Sequence, residues 1–122
     1  MTSILVIEDS IFERKAITGH LKRLGYIQIT EASNGEEGLK IAKEKIPDII
    51  LLDLRMPGMD GMDVIEELKK HQTNIKIIVV SIIRNKRIVE KCLGLGADDY
   101  LSKPVSQEKL KEKIDKVLGS GS

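Results

Sequence analysis

The 122-residue sequence predicts an α/β protein: one domain of five βα units that builds a doubly wound, five-stranded parallel sheet. Three observations predict it. Short apolar runs with no polar alternation, Ile49–Leu52 above all, have the make-up of strands buried on both faces. Each run is followed by a longer segment with apolar residues at helical spacing. The connections are short, so successive strands are joined through helices and run parallel.

In order, Ser3–Ile7 is a buried strand that ends on Glu8 and Asp9. Residues 11–24 read as a helix with Ile17, Leu21 and Leu24 on one face, Arg14, Lys15, Lys22 and Arg23 mostly elsewhere, and Gly25 as its stop. Residues 26–32 form the second strand; Ile27 and Ile29 alternate with Gln28 and Thr30, which suits a less buried edge. Ser33 and Asn34 cap a second helix to about Lys45, with Leu39, Ile41, Ala42 and Ile46 apolar, before Pro47 blocks it. The central strand ends on Asp53, a Pro57-Gly58 turn follows, and Asp60 caps a third helix, Gly61–His71, with Met62, Ile65 and Leu68 on one side.

The second half repeats the rhythm. Residues 76–80 are a strand ending at Ser81. Residues 85–93 are a helix with Ile88, Val89, Cys92 and Leu93 inward, ended by Gly94 and Gly96. Asp99–Ser102 is a short strand before Lys103-Pro104. Ser106 caps the last helix, Val105 is placed to staple Leu110, and Leu110, Ile114, Val117 and Leu118 share a face. The domain is expected over residues 1–118, with residues 119–122 a Gly/Ser tail read as a linker or cloning scar.

Composition excludes several classes. A net charge of +1 gives no global field for nucleic acid or membrane surface. No apolar run is long enough to span a bilayer, and Ile4 to Ile7 is too short for a signal-peptide core. The lone Cys92 permits no internal disulfide and suits a reducing cytoplasm, the expected location; among apolar helix positions it reads as core, not nucleophile. His20 and His71 have no ligand-spaced partners.

Parallel strands share direction, so their C-terminal ends share one edge, where ligands sit in open α/β sheets. That edge receives Glu8, Asp9, Asp53, Ser81 and Lys103. Three clustered acids repel unless a cation or proton intervenes. Mg²⁺, a hard oxygen-loving ion, answers that need. Lys103 is a point charge for Asp53 or for phosphoryl oxygen, and the Ser81 hydroxyl can donate to another such oxygen. The set suits in-line phosphoryl transfer onto a carboxylate. The plain alternatives are a turn-capping Asp53, a satisfied strand-end Ser81 and a fixed, half-buried Tyr100.

Glu8-Asp9, Asp53 with the run from Met56 to Gly61, Ser81, and the run from Tyr100 to Pro104 together resemble the receiver domain of bacterial two-component response regulators, of the chemotaxis-regulator type. The resemblance covers the chain to Leu118 and implies a flavodoxin-like sheet of strand order 2-1-3-4-5. It implies Asp53 as phosphoacceptor, with Lys103 and Ser81 serving the phosphoryl group. Asp9, Asp53 and the Arg55 backbone carbonyl would ligate Mg²⁺, with Glu8 acting through water. Ser81 and Tyr100 would form the switch, Tyr100 turning inward on activation, and Lys103-Pro104 would be cis. Glu8 stands where many relatives have Asp.

The resemblance also implies partners: a sensor histidine kinase or phosphotransfer protein as donor, and a downstream protein or the chain's own effector domain as target. Signalling would pass through the face of the fourth helix, fifth strand and last helix. There the basic stretch Arg84, Lys86, Arg87 and Lys91 is either a solvated face or a docking patch. No direct contact with nucleic acid or membrane is expected, and the chain would be a monomer or a weak phosphorylation-dependent dimer. It would catalyse only its own phosphorylation and dephosphorylation. Arg55 and Ile83 flank the approach of water, and neither can activate it, so the phosphoryl group should be long-lived.

Three other classes compete. A haloacid-dehalogenase-type phosphatase wants a second Asp where Arg55 stands. A flavin module wants a phosphate-cradling first loop, but Glu8 and Asp9 would repel phosphate. A degenerate receiver would bind partners without phosphorylation.

Overall fold

The computed structural model describes residues 1–71 and 74–119, so Ser120, Gly121 and Ser122 of the expected tail lie outside the described residues. The elements alternate as β1 (Ser3–Ile7), α1 (Ile11–Arg23), β2 (Gln28–Ala32), α2 (Gly35–Glu44), β3 (Ile49–Leu52), α3 (Gly61–His71), β4 (Lys76–Ser81), α4 (Lys86–Leu95), β5 (Asp99–Ser102) and α5 (Gln107–Leu118). All pairings are parallel, in the order β2-β1-β3-β4-β5.

The two-residue period of the strands sorts the core into two layers. Leu5, Ile7, Ile50, Leu52, Ile77 and Val79 point to one face, where they meet Ala42 of α2, Val64, Ile65 and Leu68 of α3, and Cys92 of α4. Ile4, Val6, Ile49, Leu51, Ile78 and Val80 point to the other, against Ile17 and Leu21 of α1 and Leu110 and Ile114 of α5. Burial on both faces is why β1, β3 and β4 show no polar alternation. β2 is the edge strand its sequence suggested.

Caps fall where the side chains direct them. The oxygens of Ser10, Asn34, Asn85 and Ser106 accept from first-turn amides of α1, α2, α4 and α5. Asp60 Oδ1 accepts from the Met62 amide at 2.8 Å at the start of α3. Gly61 lets α3 begin against the backbone that leaves β3, because a Cβ there would lie 2.7 Å from Leu54 Cα.

Several details differ from the sequence expectation. β2 begins at Gln28, and Ile27 is exposed because it precedes the ladder. Leu24 is the cap of α1, not its last turn, and Ile46 is exposed beyond the end of α2. α4 runs to Leu95 with Gly94 inside it, and Gly96, at φ 120°, is the cap. That phase turns Leu93 outward and brings Leu95 against the core, so Cys92 is the one fully buried residue of α4. Gly119 belongs to the fold: at φ 70° it caps α5, its N–H directed to the carbonyls of Asp115 and Lys116. Among the described residues no helix is long and apolar enough to cross a membrane.

Candidate functional site

The sheet ladder runs one residue past three strands. Glu8 N–H donates to the Ala32 carbonyl at 3.0 Å, Asp53 N–H to Ile7 at 3.0 Å, and Lys103 N–H to Ser81 at 2.9 Å. Each functional residue is therefore fixed to a neighbouring strand by its own backbone. Continued strand alternation turns Glu8, Asp53 and Lys103 towards the α1/α5 layer. It turns Ser81, with Tyr100, towards the α4 layer.

On the α1/α5 side the Lys103 ammonium sits among three carboxylates: Glu8 at 2.6 Å, Glu13 at 2.9 Å and Asp53 at 3.1 Å. Three partners match the three N–H donors of lysine. Glu8 is 1% exposed, Asp53 5% and Lys103 9%, so these are short, charge-assisted contacts with little water to screen them. Glu8 Oε2 also accepts from the Ser10 amide at 3.0 Å, and Asp53 Oδ1 from the Arg55 amide at 3.1 Å. Burial pushes the Glu8 carboxyl up to about 7, against its bonds from Lys103 and Ser10. Burial also opposes the Lys103 charge, but the bonds to Glu8, Glu13 and Asp53 together outweigh it and hold Lys103 above the usual lysine range.

Glu13 was not singled out in the sequence. The signal was Ser10-Ile11-Phe12-Glu13, the spacing of a capping box. Ser10 Oγ does accept from the Glu13 amide at 3.2 Å. The reciprocal half is replaced: Glu8 takes the Ser10 amide, which frees the Glu13 carboxylate for Lys103. Arg14, read as lying mostly away from the apolar face of α1, has a side chain only 14% exposed. Its guanidinium donates to the Glu8 carbonyl at 2.7 Å and to Glu31 of β2 at 2.9 Å.

One carboxylate oxygen from each of Glu8, Glu13 and Asp53 lies within 4.8 Å of the others. Three carboxylates against one ammonium leave an excess of hard oxygen donors, a set that fits a divalent cation such as Mg²⁺. Asp9 is exposed beside this group and is not part of it, and Arg55 places its side chain outward while its amide reaches Asp53.

On the α4 side Ser81 is fully buried, and its Oγ accepts from the Ile83 amide at 3.2 Å. Tyr100 lies inward, half-buried against the α2–α4 core, its hydroxyl donating to the Ile83 carbonyl at 2.6 Å. Burial raises the Tyr100 pKa, partly offset by the Ser81 hydroxyl, so the phenol stays protonated near neutrality. Arg55 and Ile83 both line a groove of about 590 Å³ with Leu54, Met56, Met62 and Ile88, reached from the chain that leaves Asp53. Lys86, Arg87 and Lys91 are exposed on α4, and the Lys103-Pro104 bond is cis. His71 pairs with Glu67 at 3.5 Å, and His20 meets Arg23 at 3.1 Å, both away from the site.

A family model described as "Response regulator receiver domain" matches residues 4–115. The chain is 35% identical over 114 residues to a chemotaxis protein CheY of Thermotoga maritima, covering 93% of this chain and 95% of that one. It is 32% identical over 119 residues to protein CcdB of Bacillus subtilis, covering 98% and 99%. A cyclic di-GMP phosphodiesterase of Thermotoga maritima is 34% identical over 116 residues, which are 95% of this chain but 31% of that relative. Among solved structures, a CheX–CheY–BeF3–Mg complex from Borrelia burgdorferi superposes with a TM-score of 0.92 at 28% identity, covering 96% of this chain and 89% of the matched one.

Proposed function

The chain belongs to the response regulator receiver domain family, and from that premise we propose that it is a phosphorylation-dependent switch with Asp53 as the acceptor. The observation that carries this reading is the Lys103 ammonium bound to a strand-end Asp53 inside a group of three carboxylates, two of them buried. In the transfer, an Asp53 oxygen attacks phosphorus, the new O–P bond forms, and the N–P bond of a donor phosphohistidine breaks. The leaving imidazole nitrogen keeps the electron pair. Lys103 already holds Asp53 Oδ2 and can follow the charge onto the phosphoryl oxygens. Ser81 Oγ accepts from the Ile83 amide, so its O–H is the group that could turn to a phosphoryl oxygen.

Asp9, Asp53 and the Arg55 carbonyl would hold Mg²⁺, with Glu8 acting through water; when bound, the ion neutralises acid and phosphoryl charge together. The donor would be a sensor histidine kinase or phosphotransfer protein in the cytoplasm. The output would pass through α4, β5 and α5 to a target protein or an effector domain, with the chain a monomer or a weak dimer. Arg55 and Ile83 line the groove beside Asp53 and supply no base for water, so the phosphoryl group is long-lived.

One experiment tests the assignment. The chain is incubated with a small phosphodonor and Mg²⁺, and the label is mapped by mass spectrometry. Alkali-labile phosphate on Asp53, absent from Asp53→Asn, is expected. Its decay should quicken in an Arg55→Asn, Ile83→Glu double variant. Equal labelling of Asp53→Asn would remove the assignment, and no label at all would leave a phosphorylation-independent binding module.

A further inference from the structure

The β4–α4 loop, residues 82–85, connects the switch hydroxyl to the helix that the reading above makes the output. Two of its fastenings converge on Ile83: its amide on Ser81 Oγ and its carbonyl under the Tyr100 hydroxyl. Both are neutral hydrogen bonds. The third is not. Arg84 turns its guanidinium back across the sheet edge, and Nη2 donates to the Lys103 carbonyl at 3.1 Å. In the sequence Arg84 belonged with Lys86, Arg87 and Lys91 as one basic stretch. Arg84 is exposed like Lys86, but where Lys86 pairs across a helical turn with Glu90 at 3.9 Å, Arg84 reaches a backbone carbonyl on another element.

The acceptor gives this contact its meaning. Lys103 is pinned on its amide side to the Ser81 carbonyl at 2.9 Å, so its backbone is part of the rigid sheet edge. A cationic donor makes this a charge-assisted bond, 3.1 Å long and from an exposed side chain, that adds a third tie to the loop. Arg84 thus ties the loop to the same residue whose ammonium holds Glu8, Glu13 and Asp53.

We propose that Arg84 is a positioning residue: by clamping the β4–α4 loop to the Lys103 backbone it favours the inward state of Tyr100 before any phosphoryl group arrives. Tyr100 can donate to Ile83 only while the loop presents that carbonyl to its hydroxyl. Ser81 can meet a phosphoryl oxygen without surrendering Ile83, because it accepts from that amide and would donate its O–H, which also lies towards the Tyr100 hydroxyl. The clamped loop is therefore already the arrangement that an acyl phosphate would select. A ligand that binds one of two states is weakened by the fraction of molecules in the other. The effect on phosphoryl binding rests on the assignment of Asp53 and Lys103 above; the effect on Tyr100 does not.

The test uses the two tyrosines of the chain, labelled with 3-fluorotyrosine and read by fluorine NMR without any phosphodonor. Tyr26 packs in the α1/α5 layer, on the opposite face of the sheet from Tyr100, and serves as the internal control. In Arg84→Ala the inward-to-outward ratio of Tyr100 should fall about tenfold, the loss of one charge-assisted bond. The Tyr26 signal should stay in place. Arg84→Lys should restore part of the ratio, since an ammonium can reach the same carbonyl. With beryllofluoride and Mg²⁺ as the phosphoryl probe, the binding midpoint of Arg84→Ala should rise wherever Tyr100 has moved outward.

An Arg84→Ala protein whose Tyr100 signal matches wild type would overturn the proposal. So would Tyr26 and Tyr100 shifting together, which would mean general loosening. A Tyr100 shift in a protein that never binds beryllofluoride would support the clamp and count against the phosphorylation reading.

Discussion

The two halves of the site lie on opposite faces of one sheet and are built from different chemistry. On the α1/α5 face, Glu8, Glu13, Asp53 and Lys103 form a charged group in which every donor of the ammonium is used. On the α4 face, Ser81, Ile83 and Tyr100 are neutral and joined by single hydrogen bonds. Their supports differ too. α1 buries Ile17, Thr18 and Leu21, whereas α4 buries only Cys92. A buried charged group is expensive to rearrange, because any broken contact leaves a charge without water or a partner. Neutral bonds on a lightly anchored helix can be exchanged at small cost. The molecule thus keeps its chemistry on the stiff face and its movement on the soft one.

The largest break in this comparison is Lys103→Met. It leaves Glu8, Glu13 and Asp53 facing one another with no counter-charge, two of them buried. Removing one partner of a buried charged group costs about 3–5 kcal/mol. The loss should appear in urea unfolding at pH 8 and shrink at pH 5, where Glu8 can take up a proton. A variant with the wild-type midpoint at pH 8 would show that the lysine does not hold this half together.

Glu8 sharpens the comparison through pH. Burial pushes its carboxyl from 4.5 up to about 7. Between those values the folded chain holds a proton that the unfolded chain has released, so stability falls as pH rises. The contribution is fully present below 4.5 and gone above about 7. The groups facing Glu8 are Lys103, which stays charged throughout, Asp53, Glu13 and the Arg14 guanidinium on its carbonyl. The shift corresponds to about 3 kcal/mol. The stability difference between wild type and Glu8→Gln should change by that amount from pH 4.5 to pH 8. A difference that stays flat would mean that Glu8 titrates normally in the fold.

The sequence made the stiff face more legible than the soft one, and the reason is physical. An apolar run followed by a carboxylate marks a strand end directly, which places Glu8 and Asp53 without further information. All five strands and all five helices were readable from apolar runs and helical spacing, within a few residues at their ends. What stayed hidden were contacts with backbone acceptors. Every residue carries a carbonyl, so nothing in the sequence distinguishes the Glu8 carbonyl that Arg14 finds, or the Lys103 carbonyl that Arg84 finds. Glu13 was hidden by a different ambiguity: its spacing from Ser10 predicts a bond back to the Ser10 amide, and Glu8 already occupies that amide. The phase of α4 failed because Gly94 resembles a stop, while the true cap needs the positive φ of Gly96.

The smallest effect belongs to the soft half, in Tyr100→Phe. The substitution removes one hydroxyl and keeps the ring that packs against the α2–α4 core. The hydroxyl is a donor at neutral pH, because burial holds its pKa above the usual tyrosine range. Its acceptor, the Ile83 carbonyl, belongs to a residue that lines the open groove, so water can take over the bond. The net cost of such an exchange is about 1 kcal/mol. That is several-fold below the effect of Lys103→Met, although Tyr100 lies in β5 and Lys103 directly follows it. The charged half should not notice: the pH dependence carried by Glu8 should be the same in Tyr100→Phe as in wild type. Urea midpoints at pH 4.5 and pH 8 for both proteins measure the cost and the pH slope together. If Tyr100→Phe lost as much stability as Lys103→Met, or flattened the Glu8 slope, the two faces would act as one cooperative unit. The division into a stiff chemical half and a soft moving half would then be wrong.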